Sequence, residues 1–113
     1  MYQIDFNKPI NIHFIGISMS GLAEILLDRG FGISGSDAKE SDLTKHLIQK
    51  GAVVQYGQRA SNITDDIRLV VYTAAIHPDN PELMEAEKKN IRCMTRAVLL
   101  GEIMQNYQTP IAI

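Results

Sequence analysis

The sequence has one cysteine, Cys93, and no tryptophan. A lone thiol cannot close an internal disulfide, so the chain is not a disulfide scaffold and suits a reducing compartment. Proline occurs only 4 times and no segment is compositionally biased, which excludes fibrous and low-complexity classes. No apolar run approaches the ~18 residues of a membrane span, and residues 1–8 lack a basic-then-apolar signal pattern. Charge of one sign is also missing: 11 basic against 13 acidic side chains give a net charge of −2. That removes the electrostatic footprint of a nucleic-acid or anionic-membrane partner. The three histidines, His13, His46 and His77, are scattered, and no cluster with metal-ligand spacing accompanies them. A cytoplasmic domain of 113 residues remains, 45% hydrophobic, and a fold of this size buries roughly two-thirds of its unfolded-chain surface.

What is present is alternation. Residues 12–17 form a β-rich run ending at small residues. Residues 20–28 carry Leu22, Ile25 and Leu26 at helical spacing and close on Arg29-Gly30. Residues 31–36 predict a second strand. Residues 42–50 put Leu43, Leu47 and Ile48 on one helix face, with Ser41 as N-cap and Gly51 as stop. Residues 53–56 predict a third strand, and the apolar, β-branched run 69–73 a fourth that is covered on both faces. A turn then leads to a polar helix over 81–90, with Pro81 at its first position and Glu85 and Lys89 one turn apart. Residues 91–94 read as a fifth strand. Thr95 caps a helix over 96–107 that buries Leu99, Leu100, Ile103 and Met104, and 109–113 reads as the opening of a sixth strand.

This order predicts an α/β fold: a Rossmann-like, doubly wound, mainly parallel sheet of five to six strands with helices on both faces. It occupies residues 1–113 as one domain. The apolar run 110–113 closes the sequence in mid-strand, so the chain is expected to be a piece of a longer protein.

Ligands of such sheets bind beyond the carboxyl ends of the strands. After the first strand come Gly16, Ile17, Ser18, Met19, Ser20 and Gly21. Small residues leading into a helix suit a phosphate or diphosphate, and equally a plain turn with an N-cap, since the spacing is not G-x-G-x-x-G. Ser36 and Asp37 end the second strand. An acid there holds a ribose hydroxyl in nucleotide-binding sheets, or caps a turn. Together the two features favour a nucleotide. Thr73, Ala74 and Asn80 sit after the fourth strand, as ligand-facing or turn-forming residues. Arg96 opens the last helix against the dipole's preference for anions, which points to pairing with an acidic group. No nucleophile, base and orienter can be located together.

Several ordered blocks resemble the Mur ligases: Ile12-His13-Phe14-Ile15-Gly16-Ile17, Met19-Ser20-Gly21-Leu22-Ala23-Glu24, Ser34-Gly35-Ser36-Asp37, Thr73-Ala74-Ala75-Ile76, Asp79-Asn80-Pro81-Glu82, and Arg96-Ala97 onward to Met104. The resemblance implies a three-domain cytoplasmic enzyme of peptidoglycan synthesis. In it an amino-terminal domain binds UDP-N-acetylmuramate, and the missing central and carboxy-terminal domains bind ATP, Mg²⁺ and the amino acid. It implies chemistry through an acyl phosphate of the muramyl carboxylate. The block at 19–24 favours the branch that adds L-alanine over the branch that recycles a tripeptide. By resemblance, the turn from Gly16 to Gly21 faces the diphosphate and Asp37 holds the uridine. Thr73 and Asn80 belong to ligand-facing loops, Arg96 supports the sugar or phosphate, and Gln58 stands where relatives often place a His against the uracil. The glycine-Lys-Thr phosphate loop of the family is absent, so the chain is expected to bind and not to catalyse, with no cofactor or metal of its own. Against the family's G-I-G-G-I-(G/S)-M-S-G, the first turn is three residues short, which removes backbone donors from a phosphate site. A competing reading is a dinucleotide (NAD) domain, regulatory or oxidoreductase, which leaves Asn80-Pro81-Glu82 and the Arg96 helix without a use.

Overall fold

The computed structural model describes residues 9–17, 21–73 and 76–105. Five strands form one sheet: β1 (Asn11–Ile15), β2 (Gly32–Asp37), β3 (Val53–Tyr56), β4 (Ile67–Tyr72) and β5 (Arg92–Thr95). All pairings are parallel, in the spatial order β3-β2-β1-β4-β5. Between them run α1 (Leu22–Asp28), α2 (Asp42–Gln49) and α3 (Pro81–Lys88), while α4 (Arg96–Gln105) follows β5. A 3-10 turn, Ala60–Asn62, takes the place of a helix between β3 and β4. The doubly wound parallel sheet is thus as expected. Residues 106–113, with the end of the last helix and the sixth strand expected there, lie outside the described residues.

The order follows from chirality. The units β1-α1-β2 and β2-α2-β3 step in one direction from β1, and β4-α3-β5 steps in the other. Right-handed crossovers taken in opposite directions place their helices on opposite faces. Period-two alternation sorts β1 between those faces. Ile12 and Phe14 join Leu22, Ala23, Leu26, Leu47, Leu99 and Ile103 in the larger core, which α1, α2 and α4 cover. Ile15 joins Ile63, Ile67, Val70, Leu83 and Ala86 beneath α3. In β4, Leu69, Val70 and Val71 are all at most 1% exposed, as a strand covered on both faces requires.

Local chemistry sets the helix ends. The Ser41 side chain accepts the Thr44 N–H at 3.2 Å and the Thr44 hydroxyl accepts the Ser41 N–H at 2.9 Å, a reciprocal capping box. Pro81 opens α3, and Asn90, at φ 60°, turns the chain out of it. The Thr95 hydroxyl accepts the Val98 N–H at 3.3 Å.

Two expectations about buried faces are corrected. Leu43 and Ile48 on α2 are 38% and 44% exposed, and Leu100 and Met104 on α4 are 44% and 64% exposed. Both helices lie over the outer strands of the described sheet, α2 against β3 and α4 against β5. A helix at a sheet edge buries a narrow stripe, here Leu47 in α2 and Leu99 with Ile103 in α4.

The closest approach in this core is at Gly35 on β2. A methyl group there would stand 2.6 Å from Ile17 Cβ and 2.9 Å from the Phe14 carbonyl oxygen. Gly35→Ala is expected to destabilise the fold by about 1–3 kcal/mol through overpacking. Urea unfolding of the two proteins checks this, and coincident curves would refute it.

Candidate functional site

Because every strand points the same way, each delivers its following loop to one edge of the sheet. Gly16 follows β1, Asp37 ends β2, Gln58 lies just past β3, Thr73 follows β4, and Arg96 follows β5. Gly21 is the N-cap of α1 and Asn80 the N-cap of α3. The structure therefore gathers Gly16, Ile17, Gly21, Asp37, Gln58, Thr73, Asn80 and Arg96 along one rim. Ser18, Met19, Ser20 and Ala74 lie outside the described residues.

The rim residues differ in what they offer. Gly16, at φ 78°, donates its N–H to the Ser36 carbonyl at 2.9 Å, so that amide extends the β1–β2 ladder. Ile17 is fully buried against Gly35. Asp37 is partly exposed, and its Oδ1 accepts the Ala38 N–H at 2.8 Å. Its register partner Tyr56 is anchored through a hydroxyl contact with Thr44 Oγ1 at 3.0 Å. The Asn80 Nδ2 donates to Gln58 Oε1 at 2.6 Å, joining the loops after β3 and β4. The other end of Asn80 caps α3, with Oδ1 accepting the N–H groups of Glu82 at 2.9 Å and Leu83 at 3.3 Å. Ser36 is different: its hydroxyl is 0% exposed and points away from solvent.

That hydroxyl belongs to a network that reading the sequence missed. Glu82, in the first turn of α3, is 0% exposed and accepts hydrogen bonds from four groups. His13 Nε2 at 2.7 Å and Ser36 Oγ at 2.8 Å meet Oε1, while Asn62 Nδ2 at 2.7 Å and the Arg59 N–H at 3.2 Å meet Oε2. His13 Nδ1 lies 2.9 Å from Ser34 Oγ. With Nε2 facing an anion, that nitrogen carries hydrogen, which sets the ring's orientation. Asn62 Nδ2 also donates to the Gly57 carbonyl at 3.0 Å, drawing the loop after β3 inward. The available signal was the alternation of Ser34 and Ser36 on the face of β2 that meets His13.

Burial opposes the charge on Glu82, but the hydrogen bonds from His13 and Asn62, the attraction of His13 and the Ser36 hydroxyl outweigh it. The carboxyl is held below its ordinary 4.5. Among the described residues no three His, Cys, Asp or Glu side chains group to hold a metal.

A doubly wound parallel sheet whose loops converge on one carboxyl-end rim is an architecture of the Rossmann-like class. Residues 11–108 match the family described as "Mur ligase family, catalytic domain". The chain belongs to the Mur ligase family. It is 65% identical over 116 positions to a UDP-N-acetylmuramate–L-alanine ligase of Agathobacter rectalis, covering 100% of this chain and 25% of that protein. Among solved structures, the UDP-N-acetylmuramate-alanine ligase of Thermotoga maritima superposes with a TM-score of 0.81 at 27% identity, over 88% of this chain and 24% of that one. The UDP-N-acetylmuramate:L-alanyl-gamma-D-glutamyl-meso-diaminopimelate ligase of Neisseria meningitides gives 0.75 at 25% identity, over 84% of this chain and 31% of that one. The chain thus spans about a quarter of the length of the curated relatives it matches, and the dinucleotide alternative is left without support.

The Glu82 network makes stability depend on pH with a definite sign. A carboxyl whose value falls on folding contributes stability that is complete above 4.5 and is lost as pH drops through the lower folded value. At pH 7, Glu82→Gln is expected to cost about 3 kcal/mol, since it leaves buried donors facing an amide nitrogen. The gap between the two proteins should narrow as the solution is acidified toward pH ~3. Urea unfolding at both pH values measures it, and a gap of constant size would rule the account out.

Proposed function

We propose that this chain is the UDP-N-acetylmuramate-binding domain of a longer, cytoplasmic, ATP-dependent ligase that joins L-alanine to that sugar nucleotide in peptidoglycan synthesis. The observation that carries the reading is the 65% identity, over the whole chain, to a ligase named for that substrate and amino acid. The convergence of loops on the carboxyl-end rim supports it from the geometry.

In this reading Asp37 accepts a hydrogen bond from a ribose hydroxyl of the uridine, a charge-assisted contact. The turn from Gly16 through Ile17, Ser18, Met19 and Ser20 to Gly21 approaches the diphosphate with backbone amides and hydroxyls. Gln58, held by Asn80, presents its amide face toward the uracil. Thr73 lies beside the switch point and, with Ala74, is assigned to the ligand by resemblance, and Arg96 pairs with the sugar carboxylate or a phosphate. Ser36 contributes from beneath, through Glu82. ATP and Mg²⁺ belong to the missing central domain, where they supply activation of the muramyl carboxylate. In this reading no step of the chemistry is assigned to this domain. Its part is to bind and orient.

Isothermal calorimetry of the 113-residue chain with UDP-N-acetylmuramate tests the reading. Binding is expected, and Asp37→Ala should weaken it about tenfold or more, the worth of one charge-assisted hydrogen bond. Heat from NAD with none from UDP-N-acetylmuramate would overturn it.

The short first turn gives a separate expectation. Inserting Gly-Gly-Ile after Ile17, to restore the family's length, should tighten binding about tenfold by returning amide donors to the diphosphate. Unchanged affinity would dissociate the turn from the phosphate site. In a coupled assay with ATP, L-alanine and UDP-N-acetylmuramate, the chain alone should release no ADP.

A further inference from the structure

We propose that Glu82 is a positioning residue for this site, a buried anionic clamp that holds the loop after β3 against the N-terminus of α3 and so fixes the Gln58–Asn80 rim on which the ligand rests. The inference rests on the reading of the rim as the UDP-N-acetylmuramate site.

The carboxylate has no exposed surface, so it acts on a ligand only through other groups. Its two oxygens face different parts of the fold. Oε1 is held by the sheet, through His13 of β1 and Ser36 of β2. Oε2 is held by the connection after β3, through the Arg59 N–H and the Asn62 side chain. Gln58 is the residue immediately before Arg59, and Asn80 is the N-cap two residues before Glu82. The carboxylate therefore braces both ends of the 2.6 Å Asn80–Gln58 bond from below. Asn62 reinforces it by binding the Gly57 carbonyl, on the other side of Gln58.

The connection after β3 is anchored at its two ends, by the Gly57 N–H to the Asp37 carbonyl at 2.7 Å and by buried Ile63, and Glu82 grips the stretch between them. It is a 3-10 turn of three residues, none of them buried, rather than a packed helix. Gln58 and Arg59 are exposed on either side of the peptide that Glu82 grips. Remove the negative charge and two donors on the sheet and two on the loop compete for a side chain with a single acceptor. The loop is the end free to leave.

A double-mutant cycle on binding separates this role from simple stabilisation. Calorimetry with UDP-N-acetylmuramate is run on the parent chain, Glu82→Gln, Gln58→Ala and the double variant, at a temperature where thermal melts show all four folded. Glu82→Gln is expected to weaken binding about tenfold and Gln58→Ala several-fold. The double variant should be no weaker than Glu82→Gln alone, because the clamp acts through the rim residue. Additive losses, or a Glu82→Gln protein that binds like the parent, would overturn the proposal. If Glu82→Gln does not fold, Asn62→Ala cuts the loop side of the clamp alone and is carried through the same cycle with the same expected pattern. The Arg59 backbone amide and the Gln58 and Asn80 side-chain amides give a second readout by ¹H–¹⁵N correlation spectra. All three should shift in Glu82→Gln or Asn62→Ala. A parent chain that gives no heat with UDP-N-acetylmuramate defeats the ligand assignment, not the clamp; in that case unshifted amides would defeat the clamp as well.

Discussion

A carboxylate sealed away from water has to be met by donors, or burial drives it to protonate or drives its element out. Glu82 is met by four, and they come from β1, β2, the residue before the 3-10 turn and that turn itself. The same side chain sits in the first turn of α3, where an anion is favoured by the helix dipole. No donor can be moved without uncovering charge, so the relative placement of sheet, loop and helix is over-determined at this point. A hydrophobic contact in the same position would hold the elements together without fixing their register, because apolar packing tolerates sliding that hydrogen bonds to an anion do not.

The two faces of the sheet are built on different principles. On one, α1, α2 and α4 cover a continuous apolar core. On the other, α3 covers only the β1–β4–β5 side with a small apolar cluster. Among the described residues no helix lies above the β2–β3 side, because the crossover from β3 to β4 is made by a 3-10 turn. There the sheet carries Ser34 and Gln55, and a groove of about 520 Å³ runs along it, lined by Asn11, His13, Asn62 and Thr64 among others. Polar side chains are what an uncovered parallel strand pair needs, since parallel sheets ordinarily bury both faces. The Glu82 network marks the border between the covered and uncovered halves, which is why a histidine in the central strand finds a carboxylate on one side and a hydroxyl on the other.

Most of the architecture was legible along the chain, because it depends on local signals. Strand and helix alternated with clear periods, Ser41 and Thr95 capped as their positions predict, and parallel order followed from crossover chirality. Ends differ by a residue or two: periodicity starts the first helix at 20 and the fourth strand at 69, whereas they begin at Leu22 and Ile67. Amphipathic width was harder. Leu43, Ile48, Leu100 and Met104 share a helical face with buried neighbours, and only the tertiary fact that α2 and α4 ride over outer strands leaves them exposed. The rim could be located because strand ends locate it. The clamp beneath could not: His13 and Glu82 lie 69 positions apart and Ser36 and Glu82 46 apart. Each residue alone reads as an ordinary strand histidine, a turn serine or a first-turn acid.

This separation between rim and support bears on the turn after β1, which resemblance to the Mur ligases makes three residues short. Everything the described structure uses to anchor the start of that turn comes before the missing positions. Gly16 bonds to Ser36, Ile17 packs on Gly35, and the His13 network lies deeper in the same strand. Shortening a loop by a few residues changes its closure entropy by only a fraction of a kcal/mol, and none of these anchors depends on the removed residues. The sheet therefore has no folding reason to resist the deletion. In the reading proposed above, its consequence falls on the amides assigned to a diphosphate, while Asp37, Gln58 and Asn80, held by β2, α3 and the buried carboxylate, keep their places on the rim. A fold with its positioning chemistry one layer below the surface can lose part of a binding loop and still present the remainder in register.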